Sequence, residues 1–302
     1  MEKMNIKKKR KASLSDSAFN VILTTIATIV LIIFLYPMIF VVSSSFSSGE
    51  AVTAGAVILW PVDFSVDGYK WIFKNALIWD GYRNSIIYVI LGTLLHLFMT
   101  IFIAYPLSRK DYQAKRAVQI FLTASMMFGG GLIPTYILVS DLGLVNNPLW
   151  MILSGAVGIS NAIMMRTFFQ SNIPYELLES AKMDGISDIG YLFKVTLPLS
   201  KAIISVICLY AVVGKWNSYM TPLIYLRTRE YYPLQLILNE MLNEAKFDSS
   251  KMEGAQNVEA VASNIDGIRY SLILVGVIPM LVLYPFVQKF FEKGVTVGSI
   301  KG

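Results

Sequence analysis

Charged side chains are scarce in this sequence, and two places where they gather could do chemistry. Lys215 is the only Asp, Glu, Lys or Arg between Ala202 and Leu226. Trp216, Asn217 and Tyr219 stand beside it, so one short segment offers a cation, aromatic faces and hydrogen-bonding groups. Such a mixture binds sugars, and the cation would suit a uronate or another acidic sugar. A charge inside an apolar segment is costly and usually faces an interior or a cavity; pairing with a partner or snorkelling are the alternatives. The second cluster is "ELLESAKMDGISDIGYLFKVTLPL", Glu176 to Leu199, with Glu176, Glu179, Lys182, Asp184, Asp188 and Lys194. A single histidine, His96, and a single cysteine, Cys208, exclude a disulfide framework and leave little room for metal or histidine-base chemistry. Both read as packing residues, so no catalytic residue and no metal ligand is expected.

The elements that must carry these clusters are membrane helices. Of 302 residues, 55% are hydrophobic and 15% charged, against about 25% charge in a soluble domain. The mean hydropathy is +0.57. Residues 19–42, 84–107, 117–140 and 142–165 contain no Asp, Glu, Lys or Arg, and 270–287 is an uncharged run of 18. With 202–226, broken by Lys215, these make six stretches near the roughly 20 residues a bilayer needs. Backbone groups in lipid must be satisfied within the segment, which selects helices. Strand-like alternation is absent, which argues against a barrel. The expectation is an all-α integral membrane protein of six transmembrane helices, 19–288, with a basic tail at 1–18 and a C-terminal tail at 289–302. The first span lacks a small-residue cleavage site and reads as retained.

Basic residues orient the chain. With the N-terminus inside, cytoplasmic segments hold 17 of the 26 Lys and Arg, outer segments hold 8, and Lys215 is the remaining one. Both termini are therefore expected in the cytoplasm of a multi-pass cell-membrane protein. The N-terminal run of lysines touches anionic membrane lipid rather than nucleic acid.

The Glu176–Leu199 cluster then faces the cytoplasm. Pro174 suits a helix start, Glu176 and Glu179 complement the helix dipole, and Leu177, Leu178 and Ala181 share a face. Gly185 stops that helix, and Ser187 caps a second one, whose apolar face is expected at Ile189, Leu192 and Phe193. "LPL" at Leu197, Pro198 and Leu199 is expected to end it. Helices this short are marginal alone, so the pair must dock on something, either the membrane surface or a partner's groove.

Glu179-Ser180-Ala181-x-x-Asp184-Gly185, followed by Phe193 and Leu197-Pro198-Leu199, resembles the EAA loop of ABC importer permeases, with Ser180 where the family usually has alanine. "MMRTFFQSNIPYELLESAKMDG", "WNSYMTPLIYL", "YYPLQLIL" and the tail "FFEKGVTVGSIKG" are similar to carbohydrate-uptake permeases of the maltose type. The likeness is to the MalG-like subunit and its LplC and YtcP branch. The resemblance implies a type I ABC importer permease fold, with the loop at 172–200 acting as the coupling helix. Glu176, Glu179, Ser180, Ala181, Asp184, Gly185, Phe193, Leu197 and Pro198 would be its coupling residues. It implies as partners a second homologous permease, two ATPase subunits, an extracytoplasmic solute-binding protein and an oligosaccharide substrate. No G-x-x-x-x-G-K-[ST] occurs in the sequence, so ATP and magnesium would belong to the separate ATPase.

Other features are less specific. "FGGGLIPTY" interrupts the third span, either as a bent segment or as close packing through small residues. Asn161 is polar within the fourth span, an interhelical hydrogen bond or a pathway residue alongside Lys215, Trp216, Asn217 and Tyr219. Outer aromatics such as Trp60 and Trp79 suit an interface anchor, and 227–269 is a candidate for docking the binding protein. An ABC permease for a non-sugar solute is the near alternative. An ion-gradient-driven transporter is more distant, because no Asp or Glu lies within the six spans.

Overall fold

The computed structural model describes residues 14–251 and 267–285. The lysine run of the N-terminus and the 289–302 tail lie outside the described residues, as does 252–266 of the polar outer segment. The chain divides into two compact units, Met1–Lys70 with Ser249–Leu274, and Trp71–Asp248 with Val275–Gly302.

In the first unit, α1 (Leu14–Ser45) is a 32-residue helix. Its polar positions are silenced locally: the hydroxyls of Thr25 and Thr28 donate to carbonyls four residues earlier, each at 2.8 Å, as small hydroxyls do in an apolar helix. The serines after it turn the chain. Ser43 Oγ donates to Leu59 O at 2.6 Å, and Ser47 Oγ accepts the Val62 amide at 3.1 Å. Ser48 caps the short α2 (Gly49–Thr53), and Tyr69, in α3 (Asp67–Lys74), donates to Ser45 Oγ at 2.8 Å.

The second unit is built around α4 (Ala76–Ser108), 33 residues capped by Asn75. At 1.5 Å per residue it is about 50 Å long, more than a bilayer core needs. Around it run α5 (Lys115–Met127), α6 (Leu132–Asp141), α7 (Pro148–Leu153), α8 (Ile159–Asn172), α9 (Tyr175–Met183), α10 (Asp188–Tyr191) and α11 (Leu197–Leu199). The chain continues through α12 (Lys201–Trp216), α13 (Met220–Tyr225) and α14 (Leu234–Lys251). The apolar core lies along α4 at successive levels. Tyr88 packs with Val139, Met151, Tyr225 and Leu226. Ala104, flanked by Leu97 and Ile101, packs with Met165, Phe169, Ile203 and Ile207. Tyr105, one residue on, packs against Leu178, Ala181 and Tyr191 of the 172–200 loop.

Among the described residues, three helices are long and apolar enough to cross a membrane: Ala18–Ser45, Ala76–Ser108 and Gly267–Pro285. The number is five if two bent pairs each count as one span. The 117–140 stretch is one such pair, α5 and α6, bent by 113° at the three glycines of "FGGGLIPTY". The remaining expected span, 142–165, is two pieces, α7 and α8, of 6 and 14 residues. Gly155 between them takes φ +71, a conformation that costs glycine little and other residues more. The 202–226 stretch likewise divides into α12 and α13 after Trp216.

The "LPL" segment does not end the second loop helix. Leu192–Thr196 forms a π-turn that runs into α11, and the chain reaches Leu199 before bending by 83° into α12. The wider π-turn absorbs the proline, because the amide of Leu197 reaches back to Leu192 O, and such turns relieve an α-ladder that cannot close regularly.

Candidate functional site

The 172–200 loop is a pair of short helices joined by a tight turn. α9 closes on a Schellman motif: the Ile186 amide donates to Ala181 O at 2.9 Å and the Gly185 amide to Lys182 O at 3.1 Å. Gly185 takes φ +72, as that motif requires. Ser187 then caps α10, its Oγ accepting the Gly190 amide at 3.1 Å. The loop turns Leu178, Ala181, Tyr191, Leu192 and Thr196 inward. Leu178, Ala181 and Leu192 are buried as their spacing implied, but the other half of the two expected faces turns outward. Leu177, Ile189 and Phe193 are exposed, at 41%, 67% and 55%. The buried stripe is set by the direction from which α4 approaches, with Tyr105 against it, and a helix of one or two turns gives too few positions for spacing to choose. Glu176, Glu179, Ser180, Asp184, Gly185 and Pro198 are exposed, and Leu197 is half-buried.

Under this loop lies an ion cluster that no spacing in the sequence announces. Arg109, the residue after α4, is 10% exposed in its side chain. Its Nε and Nη2 donate to the two carboxylate oxygens of Asp111 at 2.9 and 2.8 Å, and Nη1 donates to the Tyr105 hydroxyl at 3.0 Å. Nη2 also pairs with Asp188 at 2.9 Å. Lys182 reaches Asp111 at 3.1 Å. The bidentate hydrogen bonds from Arg109 hold the Asp111 carboxyl well below the usual carboxylate range, with Lys182 adding to the shift and burial opposing it. Asp111 therefore favours the folded arrangement at pH values above the ordinary carboxylate range. That contribution is lost only as pH falls through the depressed pKa, so the Asp111 carboxylate stays ionised at neutral pH. Arg109 and Glu176 also line a cavity of about 420 Å³ with Lys110, Lys115 and Tyr175.

The second site is the break between α7 and α8. Lys215 Nζ donates to Met151 O at 2.7 Å and to Ile152 O at 3.3 Å, and also reaches Ser154 O. An ammonium has three donors, and here they meet the carbonyls that the C-terminus of a short helix leaves unsatisfied. The positive charge also complements that end of the helix dipole. His96 grips the other side, with Nδ1 2.9 Å from Gly155 O and Nε2 2.9 Å from Asn161 Nδ2. A carbonyl accepts and an amide nitrogen donates, which places the ring proton on Nδ1. Two glycines admit these side chains. A methyl at Gly92 would lie 2.8 Å from Lys215 Cε, and one at Gly158 would lie 2.5 Å from His96 Cε1.

These groups line a cavity of about 300 Å³, together with Ser154, Tyr210, Ser218 and Thr221. Of the five pathway residues singled out in the sequence, the cavity brings Lys215 and Asn161 together. Trp216 is buried elsewhere, its Nε1 donating to Gly276 O at 3.0 Å, and Asn217 and Tyr219 do not line the cavity. Sequence reasoning missed His96, Ser218 and Thr221 as lining groups. The spacing of Gly92 and His96, four apart on one helix face, was the available signal.

The family described as "Binding-protein-dependent transport system inner membrane component" matches residues 82–297. The Bacillus subtilis protein "Polygalacturonan/rhamnogalacturonan transport system permease protein YtcP" is 38% identical over 268 residues, covering 88% of this chain and 92% of that one. The B. subtilis protein LplC is 34% identical over 266 residues, covering 88% and 89%. A solved structure of a bacterial ABC transporter involved in the import of the acidic polysaccharide alginate has a chain that is 31% identical. It matches with a TM-score of 0.82 over 94% of this chain and 100% of that one.

The Lys215 geometry makes a direct prediction. Lys215→Met takes the ammonium from the part-buried carbonyls of Ile152 and Ser154 and leaves Met151 O with only the Ser154 hydroxyl at 3.4 Å, at about 1–3 kcal/mol for such a loss. The thermal unfolding midpoint of the detergent-purified protein should fall accordingly, and an unchanged midpoint would detach Lys215 from the break.

Proposed function

The chain belongs to the family of binding-protein-dependent transport system inner membrane components, and from that premise we propose how its loop and its cavity divide the work of import. It is the transmembrane permease subunit of an ATP-driven oligosaccharide importer, working with a permease partner, an ATPase and a binding protein. In our reading the complex holds one second, homologous permease, two ATPase subunits and one extracytoplasmic solute-binding protein. Both termini and the 172–200 loop face the cytoplasm, as the excess of basic residues there suggests. This chain performs no chemistry of its own, and ATP with its magnesium binds the ATPase.

The observation that carries the coupling role is the two-sidedness of the loop. One face is buried on this chain's own α4, at Tyr105. The other leaves Leu177, Met183, Ile189 and Phe193 exposed, Met183 at 84%, interspersed with the exposed Glu176, Glu179 and Asp184. Several large apolar side chains left exposed among charged ones mark a docking face, and an ATPase groove is its occupant here. Closure of the ATPases pushes the loop, and the permeases rock between access states.

The substrate is an oligosaccharide carrying uronate groups. The cavity that holds Lys215 has no Asp or Glu among its lining residues. Its ammonium is bonded to carbonyls, so it supplies positive potential rather than a direct grip. The acidic polymers in the names of similar transporters agree with that sign. Uptake of oligogalacturonate should exceed that of a neutral oligosaccharide of equal length, and equal uptake would remove the charge argument.

The coupling role is tested at Gly185. No atom lies within 4 Å of a side-chain carbon built there, so a substitution acts through backbone conformation alone. A left-handed residue other than glycine costs about 1–2 kcal/mol, more if β-branched and less for asparagine. Gly185→Val should abolish the stimulation of ATP hydrolysis by loaded binding protein while insertion and ATPase co-purification persist, and Gly185→Asn should retain more of it. Normal stimulation in the valine variant would sink the assignment.

A further inference from the structure

The ion cluster at Arg109 joins four pieces of chain. The guanidinium meets Tyr105 in the last turn of α4 and Asp111 in the linker to α5. It also meets Asp188 in the first turn of α10. Through Asp111 it takes in Lys182 of α9. The Tyr105 hydroxyl closes the ring by donating to Asp188 O at 2.9 Å. The guanidinium at the centre is only 10% exposed, while Asp111 and Asp188 reach it from the surface at 41% and 64%, with Lys182 behind Asp111 at 49%. Removing Arg109 takes away the group that the Asp111 and Asp188 carboxylates and the Tyr105 hydroxyl share. The planar fork of arginine can serve Asp111 bidentately while also reaching Asp188 and Tyr105; the point charge of a lysine cannot.

α4 is one helix from this cluster, past Pro106, to His96, which grips the α7–α8 break at the cavity, and to Gly92, which admits the Lys215 side chain. At 1.5 Å per residue that is about 20–25 Å of continuous helix.

We propose that Arg109 is a positioning residue that locks the 172–200 loop to α4, so that a push on the loop moves α4 as one body and reaches the cavity break directly. This is a second route besides the covalent one through α11 and α12, and it rests on the coupling reading above. The covalent route passes through the π-turn and an 83° bend, both compliant points. The Arg109 route meets only Pro106, and the Tyr105 hydroxyl, on the far side of that proline, bypasses it by bonding to Arg109 and to Asp188 O.

The test uses the full chain, reconstituted in nanodiscs, with Arg109→Gln, Arg109→Lys, Asp188→Asn and the Arg109→Gln/Asp188→Asn pair. For one readout, tryptic cleavage after Lys182 and Lys194 followed by mass spectrometry, the full chain is held in nanodiscs without the ATPase, so that the loop's docking face is uncovered. The other readout, in the assembled complex, is the ratio of ATP hydrolysis with oligogalacturonate-loaded binding protein to that without. Arg109→Gln should raise loop cleavage about tenfold, the scale of a lost charged hydrogen bond. It should also lower the stimulation ratio about tenfold, a typical coupling free energy, with the ATPase still co-purifying. Arg109→Lys should fall between, and the double variant should be no worse than Arg109→Gln alone. Wild-type cleavage and stimulation in Arg109→Gln, or a loss of stimulation only in proportion to lost ATPase, would overturn the lock. If the wild type itself never responds to the loaded binding protein, the coupling reading is overturned instead, and the proteolysis arm keeps those two failures apart.

Discussion

Hydrocarbon offers a backbone no hydrogen bonds, so any interruption of a spanning helix must be satisfied by the protein. That constraint governs this chain. The stretch 142–165 stops being helical between Leu153 and Ile159, and side chains from two other helices answer the groups it frees. Lys215 of α12 takes the carbonyls of Met151, Ile152 and Ser154, and His96 of α4 takes that of Gly155. The break can then stay open as one wall of a cavity lined with hydroxyl, amide, imidazole and ammonium groups. A continuous helix there would have closed that wall.

α4 is the element on which both sites depend. Gly92 admits the Lys215 side chain, His96 faces the break, Ala104 lies in the central core, and Tyr105 underlies the loop. Arg109 then fastens the loop to the same helix. Each contact is modest by itself, since an ion pair in water contributes little. Their effect comes from burial around one guanidinium and from the stiffness of the helix behind it. The arrangement suits a protein that must turn a push at one membrane surface into a change near the middle.

Much of the loop was legible in the sequence because its signals are local. Gly185 at a helix end and Ser187 as a cap each depend on a few adjacent residues, and each appears as the chemistry dictates; at "FGGGLIPTY" the sequence left a bend and close packing open, and the helix bends by 113°. What spacing could not give was direction. Leu177 and Phe193 point outward while Tyr191 and Thr196 point inward, because tertiary approach decides the face of so short a helix. The division of 142–165 was hidden for a related reason: an uncharged run reads as one span whether or not it is continuous. Lys215 was visible as an anomaly, but its partners are main-chain carbonyls more than sixty residues away, and carbonyls carry no sequence signature. Trp216 shared its segment yet packs in another direction. Arg109 looked like one of many basic residues that set orientation, since its meaning lies in Asp188, which is far along the chain.

The central claim is that the exposed face of the 172–200 loop engages an ATPase. A photo-crosslinking residue placed at Glu179 of the full chain, in membranes containing the assembled complex, tests it directly. The account predicts a crosslinked product containing the ATPase subunit whose yield changes when ATP is added. A probe at Glu179 that captures only lipid, with or without ATP, would contradict it.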